Sequence, residues 1–238
     1  MFNRTIALQG TRNTRDLGGL TTTTGYLTKS GVFFRSDSIA NLTFNDYSRL
    51  KRKNLTTIID MRTHNERNAI PLCLIEDKEI NYNWVPIELA ARNGLCTSLT
   101  DVYIDVLDYQ HNAIKDIFNC LAAAKGLCLF CCNGGKDRTG IISMLLLDVA
   151  DVDINCIIED YMQTKANMGS TFAKVRQLIM ENKLDIPLNG LECLPEFVMD
   201  TLNHIKQEYA STRNYLNRIG VNTSIIIEIL GRFISNLE

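Results

Sequence analysis

The sequence is poor in the features that mark specialised classes of protein. Its 238 residues include four prolines, three histidines and one tryptophan, and no segment is rich in proline, glycine and serine together. Basic and acidic residues nearly balance, 25 against 27, so neither a polybasic nucleic-acid-binding surface nor an acidic tail is indicated. No apolar run approaches the length of a membrane span, and the N terminus lacks the apolar segment of a signal peptide. These absences favour a globular protein that neither inserts stably into membranes nor binds nucleic acid.

Cysteine is the residue type that stands out against this background. The eight cysteines are Cys73, Cys96, Cys120, Cys128, Cys131, Cys132, Cys156 and Cys193. Cys128 and Cys131 have the spacing of a metal or redox pair, but no second pair or histidine cluster completes a zinc set, so we predict no metal site. A chain of this length builds a core without disulfides, so we expect mostly reduced cysteines in a cytoplasmic setting. A leader segment removed earlier would leave secretion open, and the oligomeric state is left open as well.

The order of apolar patterns predicts the fold class. Apolar or β-branched runs predict strands at residues 32–35, 56–59, 82–87 and 127–130. Capping-box patterns at Thr43 and Thr63 predict short helices between them. Further helices are expected across 101–124, 140–150, 153–165, 170–182, 195–209, 211–219 and 223–236, the last capped by Thr223. We therefore expect one α/β domain over residues 1–238, with a twisted, mostly parallel central sheet, flanking helices and a C-terminal helical lid.

One loop carries the residues of a chemical site. Residues 131–140 read C-C-N-G-G-K-D-R-T-G and lie between a predicted buried strand and an apolar helix. Ligands of open α/β sheets bind at this edge. Two glycines allow successive backbone N–H groups to point inward, and the following helix contributes its positive end. The loop therefore predicts an anion-binding nest.

A cysteine and an arginine define the chemistry expected in this nest. Five residues separate Cys132 from Arg138, so one loop can surround a tetrahedral anion with sulfur below and guanidinium at the side. Positive surroundings favour the thiolate, which attacks phosphorus far more readily than a thiol does. Asp137 is a candidate to protonate the leaving oxygen and then activate water, and Thr139 is a candidate donor to the sulfur. The remaining candidate phosphate-binding residues are Asn133, Gly134, Gly135, Lys136 and Gly140, together with Thr139.

The loop resembles that of the cysteine-dependent tyrosine and dual-specificity phosphatases of bacteria and fungi, which reads H-C-x-x-G-K-D-R-T-G. Other segments are similar to the same family. They are N-T-R-D-L-G-G at 13–19, F-R-S-D at 34–37, I-D-M-R-T at 59–63 with Glu66, D-Y at 160–161 and the block 195–216. The resemblance extends over nearly the whole chain.

This resemblance implies a tyrosine-phosphatase-like fold and an activity. It implies hydrolysis of phosphate monoesters, above all protein phosphotyrosine, through a phosphocysteine and with no cofactor. It assigns Cys132 as the nucleophile, Arg138 as the phosphate-binding arginine and Asp137 as the general acid and base. Lys136 adds positive charge that suits substrates with several phosphates. Some relatives also act on phosphoserine, phosphothreonine and phosphoinositides, so dual-specificity and phospholipid substrates are alternatives.

The chain departs from the family pattern at one position. Cys131 stands where the family usually has a histidine that orders the loop and stabilises the thiolate. We expect reduced activity unless another donor substitutes, and a pseudophosphatase that only binds phosphorylated ligands is the alternative from a different class. An arsenate reductase or sulfurtransferase is a weaker alternative, kept open by Cys131 and Cys128. A disulfide between Cys131 and Cys132 would be strained and is not expected.

Four charged residues upstream of the loop are candidates for supporting roles, together with Cys131. They are Arg15, Asp16, Asp60 and Arg62. For the two aspartates we favour a buried ion-pair network behind the sheet over contact with substrate. Arg62 follows a predicted strand end and is expected to point into the site.

Overall fold

A five-stranded sheet organises the computed structural model, which describes residues 4–72, 77–89, 98–181, 183 and 188–235. The strands are β1 (Arg15–Asp16), β2 (Phe33–Ser36), β3 (Leu55–Asp60), β4 (Asn81–Trp84) and β5 (Leu127–Cys131). Their spatial order is β1-β2-β5-β3-β4, with β1 antiparallel to β2 and all other pairs parallel. All five residues of the central strand β5 are buried, as expected for a parallel strand covered on both faces. This architecture confirms the predicted α/β class.

Helices cover both faces of the sheet. In the described part of the chain they are α1 (Phe44–Arg52), α2 (His64–Ala69), α3 (Leu99–Tyr109), α4 (His111–Ala123), α5 (Asp137–Val149), α6 (Ile154–Met180), α7 (Pro195–Tyr209), α8 (Thr212–Arg218) and α9 (Thr223–Phe233). Helices α3 to α9 contribute to one large apolar core, whereas α1 packs on the opposite face over a smaller one. A short 3₁₀ turn at Leu188–Leu191 precedes α7. No helix in the described ranges is both long and apolar enough to cross a membrane.

Local sequence explains where α1 and α2 begin. The hydroxyl groups of Thr43 and Thr63 accept the backbone N–H of the residue three positions on. In return, the carboxylates of Asp46 and Glu66 accept the backbone N–H of the two threonines. Each helix start therefore has its exposed donors satisfied, which confirms both capping-box predictions.

Several predicted boundaries are wrong for physical reasons. The separate helices predicted at 153–165 and 170–182 are the single helix α6, because Gly169 is exposed and costs helical stability without breaking the helix. The long helix predicted over 101–124 divides at Gln110 into α3 and α4. Thr223 lies inside α9, and Asn222 occupies the capping position. Strand β1 was not predicted, since a pair of charged residues carries no apolar pattern.

Candidate active site

The loop of residues 132–136 connects the carboxyl end of β5 to the first residue of α5. The loop therefore lies at the carboxyl edge of the parallel strands, where the sequence predicts a ligand site. Gly135 has φ +63°, and a Cβ there would lie 2.5 Å from the backbone nitrogen of Asp37. A Cβ added to Gly134 would instead have no neighbouring atom within 4 Å. Only Gly135 is thus required by the loop's backbone geometry.

The carbonyl groups of the loop are held by residues from other elements. The backbone N–H of Ser38 donates to Asn133 O at 2.9 Å, and Asn13 Nδ2 donates to the carbonyls of Gly134 and Gly135. Arg35 Nη2 donates to Gly135 O at 2.9 Å. In contrast, the N–H groups of residues 133–136 donate to no oxygen of the described residues. Such unpaired donors on one loop are suited to an anion.

Arg138 is oriented by a carboxylate on the facing helix α2. Its Nη1 and Nη2 donate to Glu66 Oε2 and Oε1 at 2.5 and 2.7 Å, while Nε is buried without a partner in the described residues. Burial opposes the charged form, but Glu66 and the neighbouring Cys132 outweigh it and raise the pKa of Arg138 above its usual value. Burial would likewise raise the pKa of Glu66, yet Arg138 holds it below its usual value. The guanidinium stays charged, and the N–H of Nε and the second N–H of Nη2 have no partner among the described residues, which leaves both for a ligand.

The two adjacent cysteines point to opposite faces of the sheet. Cys132 belongs to the large core and is 2% exposed, whereas Cys131 is fully buried in the smaller core. The backbone N–H of Ile39 reaches the Cys131 sulfur, and burial together with Asp60 raises the pKa of that thiol well above its usual value. Cys131 therefore packs beneath the site and does not line it. Both thiols are free, as are the other cysteines in the described ranges; Cys73 and Cys96 lie outside those ranges.

Asp137 and Lys136 interact with each other at the start of α5. Lys136 Nζ donates to Asp137 Oδ1 at 3.0 Å and to Gly190 O, in the 3₁₀ turn, at 2.7 Å. Tyr103, in α3, donates to the same Oδ1 at 2.6 Å. Lys136 is buried, so its charge is directed to Asp137 and not to solvent. No motif in the sequence marks Tyr103 as part of the site.

The remaining two loop candidates contact protein groups. A Cβ on Gly140 would lie 3.2 Å from the ring of Tyr161, so this glycine leaves room for that ring. The Thr139 hydroxyl makes a long contact, 3.5 Å, with the carbonyl of Ser36.

A buried carboxylate behind the loop gathers three arginines. Asp160, in α6, pairs with Arg4, Arg15 and Arg35 at 2.9, 3.0 and 2.5 Å. Arg15 therefore pairs with Asp160 and not with Asp16, whose carboxylate accepts the backbone N–H groups of Gly18 and Gly31. Because Arg35 also donates to the loop carbonyl at Gly135, the cluster supports the loop from below. The sequence pattern could not reveal this partner, since 125 positions separate Arg35 from Asp160.

Arg62 does not enter the site as its position after a strand suggested. Its guanidinium is buried against Asp60, with Nη2 and Oδ2 2.9 Å apart, and Nη1 donates to Ile70 O. Tyr82 and the backbone N–H of Arg62 donate to the same carboxylate. Asp60 thus lies in a buried ion pair, as expected for this aspartate, and its partner is Arg62. Within the described ranges, no group of three or more His, Cys, Asp or Glu could hold a metal ion.

A cysteine at the start of a loop with unpaired amides, close to a fixed arginine, defines a thiol-dependent site for an oxyanion. A family model described as the tyrosine phosphatase family matches residues 6–234. The chain belongs to that family, which confirms the resemblance inferred from its motifs and the class of phosphoric monoester hydrolase.

Three named relatives match the chain. A tyrosine-protein phosphatase of Nostoc commune is 33% identical over 55% of this chain, and the chain spans only 47% of that relative. A putative tyrosine-protein phosphatase of Cupriavidus necator is 25% identical, covering 89% of this chain and 82% of its own length. PtpB, a triple specificity protein phosphatase of Mycobacterium tuberculosis, is 20% identical, covering 94% of this chain and 97% of its own.

Proposed function

We propose that this chain is a single catalytic domain over residues 1–238 that hydrolyses phosphate monoesters, above all phosphotyrosine in proteins, through a phosphocysteine. The observation that carries the proposal is the state of Arg138. Glu66 accepts hydrogen bonds from both terminal nitrogens of Arg138, and the buried Nε of Arg138 has no partner in the described residues. Leaving a charged donor buried and unpaired is costly unless a ligand oxygen completes it.

In this mechanism the substrate phosphate occupies the loop above Cys132. The loop N–H groups and Arg138 bind its oxygens, and their positive field stabilises the charge that develops during transfer. The Cys132 thiolate attacks phosphorus while Asp137 protonates the leaving oxygen, and Asp137 then activates water against the phosphocysteine. The reaction requires no metal or cofactor. Asn133, Gly134, Gly135, Lys136, Thr139 and Gly140 complete the loop.

The contacts of these loop residues support a different role for each of them in the phosphate-binding loop. Gly135 permits the turn, and Asn133 and Gly134 present their amides. Lys136 acts through Asp137, and Gly140 acts through Tyr161. Cys131, Asp60 and Arg62 support the sheet edge from within the core. Arg15 supports the loop through Asp160, and Asp16 holds the segment before β2 through the backbone N–H groups of Gly18 and Gly31.

Substitution of the nucleophile tests the proposal. Cys132→Ser should reduce turnover of an aryl phosphate to background while tungstate, a phosphate analogue, still binds. Cys156→Ser, which removes a half-buried thiol on α6, is the matched control and should keep full turnover. Full turnover by Cys132→Ser would reject the proposal. Rapid-quench trapping of a labelled phosphoenzyme distinguishes an enzyme from a module that only binds phosphorylated ligands.

A substrate panel addresses the finer question of specificity. Phosphotyrosine peptides, phosphoserine and phosphothreonine peptides, and phosphoinositide vesicles should be compared at equal enzyme concentration. We propose that phosphotyrosine peptides give the highest kcat/KM, and a higher value for phosphoinositides would assign a lipid phosphatase instead. A thiolate mechanism depends on reduced cysteine, which also supports a reducing, cytoplasmic setting.

A further inference from the structure

One carboxylate oxygen of Asp137 receives both of its hydrogen bonds. Tyr103 donates to Oδ1 at 2.6 Å, and Lys136 Nζ donates to the same atom at 3.0 Å. Among the described residues, none donates to Oδ2. Because Oδ1 is occupied by two donors, Oδ2 is the oxygen available for proton exchange with a substrate.

Tyr103 is a permanent donor in this arrangement. Its side chain is fully buried, and its hydroxyl oxygen lies 2.8 Å from that of Tyr161. Since Tyr103 gives its proton to Asp137, Tyr161 must be the donor between the two tyrosines. Burial, reinforced by the negative charge of Asp137, raises the pKa of Tyr103 well above its usual value. Tyr103 therefore keeps its proton at neutral pH.

Packing fixes the positions of the two tyrosines. Tyr103 lies on α3 and Tyr161 on α6, and their rings meet edge to face with centroids 6.4 Å apart. The missing side chain of Gly140, on α5, leaves the space that the Tyr161 ring fills. Three core helices thus determine where the Tyr103 hydroxyl lies. The orientation of Asp137 is consequently set by the core as well as by its own loop.

We propose that Tyr103 is a positioning residue for the acid–base group: it holds Oδ1 of Asp137 so that Oδ2 exchanges the proton. The inference rests on the function proposed above. In the first step, the Cys132 sulfur bonds to phosphorus, the bond from phosphorus to the leaving oxygen breaks, and that oxygen takes the proton of Oδ2. In the second step, water attacks phosphorus, its proton passes to Oδ2, and the sulfur–phosphorus bond breaks. Asp137 is then protonated as at the start.

The dependence of kcat/KM on the leaving group distinguishes a positioning role of Tyr103 from a merely structural one. General acid catalysis matters most when the leaving oxygen is strongly basic, so a misplaced acid penalises poor leaving groups selectively. A variant that only loosened the core would lower kcat/KM for all substrates alike. The value of kcat/KM reports steps up to phosphoenzyme formation, which keeps the water step out of the comparison.

The experiment measures kcat/KM for a series of aryl phosphates, from p-nitrophenyl phosphate to phenyl phosphate. For Tyr103→Phe we expect a loss of about tenfold or more on phenyl phosphate and less than about threefold on p-nitrophenyl phosphate. Tyr161→Phe should show a smaller loss with the same dependence on the leaving group, and it serves as the second variant if Tyr103→Phe folds poorly. Thermal unfolding of each variant establishes that it is folded.

Tyr215→Phe is the matched control in the same apolar core. Tyr215 is fully buried, and its hydroxyl donates to Leu107 O of α3 at 2.7 Å, so this variant also removes a buried phenolic hydrogen bond from that helix. It should leave the leaving-group dependence unchanged. Equal losses across the series for Tyr103→Phe, or the same dependence in Tyr215→Phe, would overturn the inference while leaving the proposed phosphatase intact. A wild-type protein without turnover would overturn both.

Discussion

Arg138 and Glu66 meet as two planar groups, with Nη1–Oε2 at 2.5 Å and Nη2–Oε1 at 2.7 Å. Glu66 also accepts the backbone N–H of Thr63, so the same carboxylate begins α2 and orients the arginine. A bidentate pair fixes the plane of the guanidinium and not merely its position. The direction in which Nε of Arg138 points is thus determined by Glu66 at the start of α2, the helix that follows β3.

Substituting Glu66 by glutamine should therefore impair catalysis more than folding. Glutamine preserves the capping box, but it removes the charge and one acceptor that hold Arg138. We expect kcat/KM for an aryl phosphate to fall about tenfold to a hundredfold, as for other displaced substrate-binding groups. Steady-state kinetics and circular dichroism measure the two effects separately.

Glu79→Gln is the control for this substitution. Glu79 is exposed and pairs with Lys51 at 2.6 Å, far along the chain from the loop. Exposed pairs contribute little, so both activity and helix content should stay unchanged. An activity loss in Glu79→Gln equal to that in Glu66→Gln would show that charge alone, and not the orientation of Arg138, explains the effect.

The two loop glycines should respond differently to alanine. Gly135→Ala places a Cβ at positive φ and 2.5 Å from Asp37 N, so we expect a destabilisation of about 1–3 kcal/mol from backbone strain, before any clash is added. Gly134→Ala places its Cβ in open space and should change stability by less than about 1 kcal/mol. Urea unfolding of the two variants under identical conditions checks the difference. Equal destabilisation would contradict the geometry of the loop.

The loop was predictable because its parts are contiguous. Cys132, Asp137 and Arg138 lie within seven positions of one another, and a strand before and a helix after them are visible as apolar runs. The partners of those residues were not predictable, because pairing across the sheet leaves no local pattern. Glu66 is 72 positions from Arg138, and Tyr103 is 34 positions from Asp137.

Charged residues gave the least reliable expectations. Arg15 adjoins Asp16 in the chain, yet successive residues of a strand face opposite sides of the sheet, so the two side chains do not share one buried cluster. Arg15 instead reaches Asp160, which the sequence presents only as an acidic residue on a helix. Arg62 follows its strand, but the carboxylate of Asp60 two positions earlier turns it back into the core.

Neutralising Asp160 should destabilise the protein strongly. Three arginines would lose their common partner inside the core, and breaking buried ion pairs in this way costs roughly 3–5 kcal/mol. We expect that loss for Asp160→Asn in urea unfolding near neutral pH. Glu181→Gln, which removes an exposed pair with Lys183, should leave stability unchanged.

Asp160→Asn should also change how the free energy of unfolding depends on pH. Burial alone would raise the pKa of Asp160, but Arg15, Arg35 and Arg4 outweigh it and hold the pKa well below its usual value. Since the folded pKa lies below the unfolded one, the contribution of Asp160 is complete above about pH 4 and is lost as the pH falls further. The difference between wild type and Asp160→Asn should therefore shrink on acidification from pH 5 toward pH 2. A difference that grew over this range would refute the ion-pair assignment.

Removing the thiol of Cys131 should separate packing from chemistry. Cys131 is fully buried in the smaller core, so Cys131→Ala should cost about 1–2 kcal/mol of stability through lost packing. Turnover should stay within about threefold of wild type, in contrast to Cys132→Ser. Kinetics with an aryl phosphate, together with urea unfolding, provides both values.

Alkylation by iodoacetate tests the same contrast in the unmodified protein. The reagent reacts with thiolates, and burial raises the pKa of Cys131 well above its usual value, so this cysteine should stay unmodified in the folded state. Cys132 lies beside the charged Arg138 and should react first, with activity lost in proportion to its modification. Peptide mapping after partial inactivation identifies the modified residue. If Cys131 reacted at the same rate as Cys132, the thiol at that position would belong to the site, and its replacement of histidine would have chemical as well as structural consequences.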